Sequence, residues 1–129
     1  MSHVYADKSN MKELRAHVTE TRPWGTFEQF TLNEPTTVKI ITVSAGKKLS
    51  LQMHANRDEF WCIIGGSGTV LISGKKRKAR LGGEFYIPRG TQHRAESSSG
   101  RENLRFLEIS FGLFDENDET RIEDDYGRV

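Results

Sequence analysis

The sequence has very little cysteine and no long apolar run. Its single cysteine, Cys62, excludes an intrachain disulfide. The N-terminal stretch lacks the apolar core of a signal peptide, and no segment is long and apolar enough to span a membrane. We therefore expect a cytoplasmic protein with no membrane partner.

The sequence also has almost no excess of charge of either sign. Lys and Arg total 19 and Asp and Glu total 18, so the net charge is +1. Such a balance creates no field that would favour nucleic acid or an anionic membrane, and we expect no nucleic-acid partner. The basic run at residues 75–80 has no interleaved aromatic residues and follows a turn at Gly74. This pattern indicates a solvated loop rather than a nucleic-acid surface.

The sequence also shows little of the spacing of apolar residues that is typical of helices. From Phe27 onward, short apolar runs rich in β-branched and aromatic residues are separated by Gly, Ser, Asn and Pro. In a chain of 129 residues this pattern predicts one all-β domain, a sandwich or a barrel. Residues 1–20 are polar and are interpreted as an N-terminal arm before a domain at 21–129, and the acidic segment 115–125 as a solvated tail. The predicted strands are 38–43, 49–54, 59–64, 69–72, 85–87, 92–96 and 104–110.

Four residues with potential metal-donor side chains lie in predicted strands. Alternation along the strand predicted at 49–54 puts Gln52 and His54 on one face. Glu59 follows on the strand that returns beside them, and His93 follows a rigid Pro-Arg-Gly turn. These donors suit one divalent ion, with Zn²⁺ as the first expectation and Mn²⁺, Co²⁺ and Fe²⁺ as alternatives. Gln52 either ligates the ion or hydrogen-bonds a water molecule on it.

The spacing resembles the motifs of the cupin superfamily, G-x5-H-x-H-x4-E-x6-G and G-x5-P-x-G-x2-H-x3-N. The first motif is matched, with Gln in place of its first His, by Gly46, Gln52, His54, Glu59 and Gly66. The second is matched, with Ser97 in place of its final Asn, by Gly82, Pro88, Gly90 and His93. Cupins fold as a double-stranded β-helix, the jelly-roll barrel, and the resemblance implies that fold here.

Cupins with Gln at the first His position include the type II phosphomannose isomerases, also called mannose-6-phosphate isomerases. Further segments resemble that group, namely RPWG at 22–25, LSLQMH at 49–54, IPRG at 87–90 and DYGR at 125–128. The resemblance implies a metal-dependent sugar-phosphate isomerase that interconverts mannose 6-phosphate and fructose 6-phosphate. In many relatives such a domain follows a guanylyltransferase domain that makes GDP-mannose, and nothing in this chain resembles that domain. The alternatives are a non-catalytic sugar-binding or regulatory cupin and an iron cupin oxygenase.

The implied reaction moves a proton between adjacent carbons, so a carboxylate near the metal is the expected base. Glu59 is the first candidate and Glu108 the second. Arg57, between the donors of the first motif, is the first candidate for binding the phosphate, because guanidinium binds phosphate bidentately, and an Arg at this position is associated with activity in the resembling group. The other candidate substrate-binding residues are Arg89, Arg94, Lys47 and Arg128.

The remaining polar and reactive side chains are given structural interpretations. His3 and His17 are assigned to the arm without function, and Cys62 is predicted to be a buried structural thiol facing away from Glu59. A homodimer is expected, because small cupins bury their barrel edges against a second subunit and the arm could add a strand to its neighbour.

Overall fold

The computed structural model describes residues 17–98 and 100–128. This part of the chain contains no helix, which confirms the all-β class, and thus no helix with the length and apolarity needed to cross a bilayer. Its strands are β1 (Val18–Arg22), β2 (Gly25–Gln29), β3 (Thr36–Val43), β4 (Leu51–Met53), β5 (Asp58–Gly65), β6 (Gly68–Ile72), β7 (Lys75–Ala79), β8 (Glu84–Ile87), β9 (His93–Ser97), β10 (Leu104–Phe111) and β11 (Thr120–Glu123).

The strands form a barrel of two facing sheets. One has four strands in the order β3-β10-β5-β8, and the other has five in the order β11-β4-β9-β6-β7. The strand pairs within both sheets are antiparallel. A separate ribbon of β1 and β2 completes the described fold.

The apolar core lies between the two sheets. Trp61 of β5, Phe85 of β8 and Phe106 of β10 are at most 1% exposed and pack against Val70 and Ala95 of the opposite sheet. Complete burial of one such aromatic or aliphatic side chain contributes about 1.5–3 kcal/mol. This burial holds the sheets face to face and positions the strands that carry the metal donors.

Alternation along β5 separates the inside of the barrel from its outer face. Glu59 points inward, whereas Phe60 packs on the outer face. Cys62 forms no disulfide and lies on the outer face as predicted, although it is partly rather than fully buried. His17 is stacked on Phe30 with ring centroids 5.1 Å apart, and Phe30 on Phe60 at 4.6 Å, so these rings attach the β1–β2 ribbon to the sheet.

Two predictions about the less apolar segments are wrong. Residues 75–80 are not a solvated loop, because β7 pairs with β6, and residues 115–125 are not a solvated tail, because β11 pairs with β4. Strands β1 and β2 were not predicted either. These strands have largely exposed side chains, so they lack the apolar alternation by which a half-buried strand is detected. Residues 1–16 of the predicted arm, including His3, lie outside the described residues.

Candidate metal centre

Three of the predicted donors meet in the interior of the barrel. His54 follows β4, Glu59 lies in β5 and His93 begins β9, and they are 4%, 1% and 1% exposed. The Nε2 atom of His54 is 3.5 Å from Oε2 of Glu59, and Nε2 of His93 is 3.8 Å from Oε1 of the same carboxylate. Donor atoms at these separations can share one ion, because Zn–N and Zn–O bonds are about 2.0–2.2 Å long.

Both imidazole rings have their Nδ1 atom engaged. His54 Nδ1 donates to the carbonyl oxygen of Asp118 at 2.8 Å, and His93 Nδ1 donates to that of Thr91 at 2.8 Å. Because a carbonyl only accepts, the proton lies on Nδ1 and the Nε2 lone pair faces the carboxylate. This tautomer leaves the Nε2 atoms of both rings able to bind a metal.

The environment of His93 fits a divalent cation. Its Nε2 atom is buried and has no hydrogen-bond partner among residues 17–98 and 100–128. Burial lowers the pKa of His93, and the nearby Glu59 carboxylate only partly offsets this effect. Burial thus favours the neutral form of the ring, whose lone pair is directed at the Glu59 carboxylate, so the residues present fit the expected ion.

Gln52 is brought to the same place by strand pairing. It lies directly opposite His93 across the β4–β9 pair and is 8% exposed. Its side chain lines the cavity that also contains His54 and Glu59. The four predicted ligands thus surround one cavity, and their ligation of an ion stays a prediction.

Arg57 is built into the wall of this cavity. Its side chain is 7% exposed, and its Nε atom donates to Oε2 of Glu59 at 2.9 Å. Its Nη2 atom lies 3.3 Å from Nε2 of His54, and its Nη1 atom donates to the carbonyl oxygen of Asp115 at 3.0 Å. The guanidinium also covers the ring of Phe114 at 4.4 Å. Its donors thus serve the protein's own groups, which disfavours the predicted role in phosphate binding.

The other cations predicted to bind substrate do not line the cavity. They are Arg89, Arg94, Lys47 and Arg128. Arg89 is exposed and pairs with Asp58 at 3.4 Å. Arg94 donates to the carbonyl oxygen of Leu49 at 3.0 Å. The structure therefore does not bring these four predicted residues to the metal centre.

The cation that sequence reasoning missed is Lys39. It lies opposite Glu108 across the β3–β10 pair and lines the cavity, and its Nζ atom is 4.1 Å from the centre of the Phe114 ring. Its neighbours Val38 and Ile40 are 57% and 53% exposed. When a lysine in a strand has an apolar residue on each side, the lysine normally faces solvent and the apolar residues face the core. On β3 the apolar residues face outward and Lys39 faces the cavity.

Glu108 faces the cavity from β10, opposite Trp61 of β5. Burial, and then the negative charge of Glu59, raise the pKa of Glu108 from its ordinary value of 4.5 to about 7, while Lys39 and Arg57 oppose this rise. The Nε1 atom of Trp61 donates to Oε1 of Glu59 at 3.2 Å. A carboxyl group that titrates near neutral pH can both accept and donate a proton under physiological conditions.

The raised pKa of Glu108 predicts a pH-dependent stability of the metal-free protein. The folded state holds a proton on Glu108 that the unfolded state releases, so stability decreases as pH rises from about 4.5 to about 7, by about 3 kcal/mol. Glu108→Gln cannot ionise and is expected to become more stable than the parent protein between about pH 5 and about pH 8. Urea unfolding with a chelator measures this difference, and the exposed Glu116→Gln is the control. Parallel pH profiles for Glu108→Gln and the parent would contradict the prediction.

The metal centre lies beside a larger recess. The inner cavity has a volume of about 160 Å³, and the recess beside it has a volume of about 620 Å³. Lys39, Arg57 and Glu119 line both. The recess is bordered by the loop between β10 and β11, residues 112–119, which we call the cap loop.

Sequence comparison places this site in a known family. A family model described as "Mannose-6-phosphate isomerase C-terminal" matches residues 9–124. The chain belongs to this family.

Among curated relatives, the mannose-1-phosphate guanylyltransferase ManC of Salmonella typhimurium is 37% identical over 118 residues, which are 91% of this chain and 24% of that protein. The alginate biosynthesis protein AlgA of Pseudomonas aeruginosa is 34% identical over 124 residues, 95% of this chain and 26% of that protein. The chain thus spans about a quarter of these relatives.

Solved structures support the barrel. A cupin protein from Bacteroides fragilis matches with a TM-score of 0.56 and 23% identity, covering 65% of this chain and 72% of that one. KdgF from a Halomonas species matches with a TM-score of 0.60 and 17% identity, covering 68% and 78%. A putative sugar phosphate isomerase from Acidithiobacillus ferrooxidans matches with a TM-score of 0.54 and 20% identity, covering 75% and 60%. The predicted double-stranded β-helix fold of the cupins is confirmed.

The comparisons correct the activity inferred from the sequence. The resemblance implied an isomerase that interconverts mannose 6-phosphate and fructose 6-phosphate. The curated relatives are instead named as mannose-1-phosphate guanylyltransferases or as alginate and xanthan biosynthesis proteins, so that prediction is wrong. What holds is that the relatives include enzymes and that the family model is named for a sugar-phosphate isomerase domain.

Proposed function

We propose that this chain is a metal-dependent enzyme domain that binds a sugar-derived ligand and transfers a proton to or from it through Glu108. One observation carries the proposal. Glu108 lines the same buried cavity as the candidate ligands His54, Glu59 and His93. The family supports a sugar-derived ligand, because its model is named for a sugar-phosphate enzyme.

The metal would be held by Gln52, His54, Glu59 and His93. This donor set is compatible with Zn²⁺, which we propose first, and with Mn²⁺, Co²⁺ or Fe²⁺. When bound, a divalent ion supplies Lewis acidity that polarises a ligand oxygen.

Proton transfer is better assigned to Glu108 than to Glu59. The Oε2 atom of Glu59 accepts from Arg57 at 2.9 Å and from Ser110 at 3.5 Å, and Oε1 accepts from Trp61 at 3.2 Å. These hydrogen bonds engage both oxygens of Glu59 and fix the orientation of its side chain, which suits a metal ligand. Glu108, whose pKa is about 7, is suited to exchange a proton with the ligand.

The recess supports a polyhydroxylated ligand. Lys39 and Arg121 place hydrogen-bond donors on its lining, Glu116 and Glu119 place acceptors there, and Asn117 places both. Sugar hydroxyls both donate and accept hydrogen bonds, so they can pair with groups of both kinds. Lys39 lies where the recess meets the inner cavity and would bind a negatively charged substituent of the ligand.

Proton transfer is tested with hexose phosphates in D₂O. The Zn²⁺-loaded protein is expected to incorporate deuterium at a carbon of at least one of them, measured by NMR. Glu108→Gln is expected to bind the same sugar while exchange falls by about 100-fold or more, the usual contribution of a general acid–base group. Glu34→Gln, which changes an exposed carboxylate outside both the inner cavity and the recess, should retain exchange. Exchange that persists in Glu108→Gln, or no exchange with any hexose phosphate and any of the four metals, would refute the proposal.

Two further properties expected from the sequence, assembly as a homodimer and a cytoplasmic location, stay predictions.

A further inference from the structure

The cap loop is attached to the turn between β4 and β5 by one residue. The carbonyl oxygen of Asp118 accepts from His54 Nδ1 at 2.8 Å. Its carboxylate accepts from the backbone N–H of Ala55 at 2.8 Å and from that of Asn56 at 2.9 Å. Asp118 therefore contacts both the ring of a candidate metal ligand and the two backbone amides that follow it.

We propose that Asp118 is a positioning residue that orients His54 for metal binding. The inference rests on the proposed function, because it requires a metal at His54. Each carboxylate oxygen of Asp118 is bound to a different amide, which fixes the side chain against the turn. The backbone carbonyl of the same residue is thereby held beside the His54 ring. A ring whose Nδ1 atom is held in this way keeps one tautomer and one orientation.

The charge of Asp118 strengthens this attachment. Desolvation raises the pKa of Asp118, but the N–H groups of Ala55 and Asn56 outweigh it and the pKa is lowered overall. Hydrogen bonds to an ionised acceptor are roughly twice as strong as those between neutral groups. The same charge would also attract a cation directly, so positioning and simple charge attraction must be separated by experiment.

Metal affinity distinguishes the two effects. Asp118→Ala is expected to bind Zn²⁺ about 10–100-fold more weakly in a competition titration with a chromophoric chelator, as when other outer-shell partners of metal ligands are lost. Glu116→Ala removes one negative charge from an exposed position of the same loop and should change the affinity by less than about 3-fold, because exposed charges are screened. Asp118→Asn keeps one acceptor without the charge, and its affinity should lie between these two. Asp118→Ala binding as tightly as Glu116→Ala would overturn the proposal.

The tautomer of His54 provides a readout that general destabilisation does not move. In the metal-free protein, ¹⁵N NMR should place the ring proton on Nδ1, whereas Asp118→Ala should give a mixture of both tautomers. Glu116→Ala should retain the parent spectrum. A His54 ring that stays protonated on Nδ1 in Asp118→Ala would overturn the inference. If the parent protein binds no divalent metal, the proposed function fails, and the tautomer measurement still tests the contact between Asp118 and His54.

Discussion

Replacing His93 with alanine is expected to weaken Zn²⁺ binding by more than about 100-fold, since even the loss of a partner outside the ligand shell costs 10–100-fold. The variant removes the Nε2 atom that lies 3.8 Å from Oε1 of Glu59. His93 is 1% exposed and lies opposite Gln52 in the sheet. A side chain from the protein surface therefore cannot easily take its place as a ligand. The bound metal is measured by elemental analysis after dialysis, and the affinity by competition with a chelator.

A second histidine provides the matched control. His17 lies outside the metal cavity, with its Nε2 atom 3.0 Å from Oε1 of Glu28. His17→Ala should therefore keep the parent affinity at the candidate centre, and His54→Ala should behave like His93→Ala. Because His17, Glu28 and Glu84 form a second group of possible donors, the decisive variant carries both His17→Ala and His93→Ala. Tight binding of one equivalent of Zn²⁺ by this double variant would show that the centre is not built around His93.

Replacing Arg57 with methionine is expected to destabilise the metal-free protein by about 3–5 kcal/mol, the usual effect of breaking a buried ion pair by removing one partner. Methionine keeps an unbranched apolar side chain but leaves Glu59, which is 1% exposed, without its guanidinium partner. Added Zn²⁺ should restore part of the loss, because a cation at the centre also compensates the charge of Glu59. Chemical unfolding with a chelator and with Zn²⁺ measures both values.

A matched control identifies the cause of this destabilisation. Arg89→Met is the matched control, because Arg89 has a 59% exposed side chain and pairs with Asp58 at 3.4 Å. Exposed pairs contribute about 0–1 kcal/mol. Equal losses in Arg57→Met and Arg89→Met would exclude a structural role of the Arg57–Glu59 pair.

The alternation of apolar and polar residues in the sequence predicted the strands whose side chains point in turn to the core and to the surface. In β5 and β10 the inward residues include Trp61 and Phe106, and such alternation can be recognised without any partner strand. β7 and β11 escaped prediction because they are mainly polar and are held by pairing with β6 and β4. Their structure depends on a neighbouring strand, which local pattern does not reveal.

The metal donors were predictable for a related reason. Gln52 and His54 are two positions apart, so alternation alone puts them on one face, and a short turn returns the chain to Glu59. Arg57 was also singled out, but as a ligand for phosphate. Its actual partners are Glu59 and the cap loop, and the contact with Asp115 joins residues 58 positions apart.

The sequence by itself determined the all-β class, the strand faces of the core and the set of candidate metal donors, because these follow from residues close together in the chain. Only the tertiary structure decided that Lys39 faces the barrel, that Glu108 lies buried near the Glu59 carboxylate and that Asp118, 64 positions from His54, holds its ring. The physical reason is that burial and charge at the centre are set by packing two sheets and one loop together. Neighbouring positions in a sequence do not specify those distances.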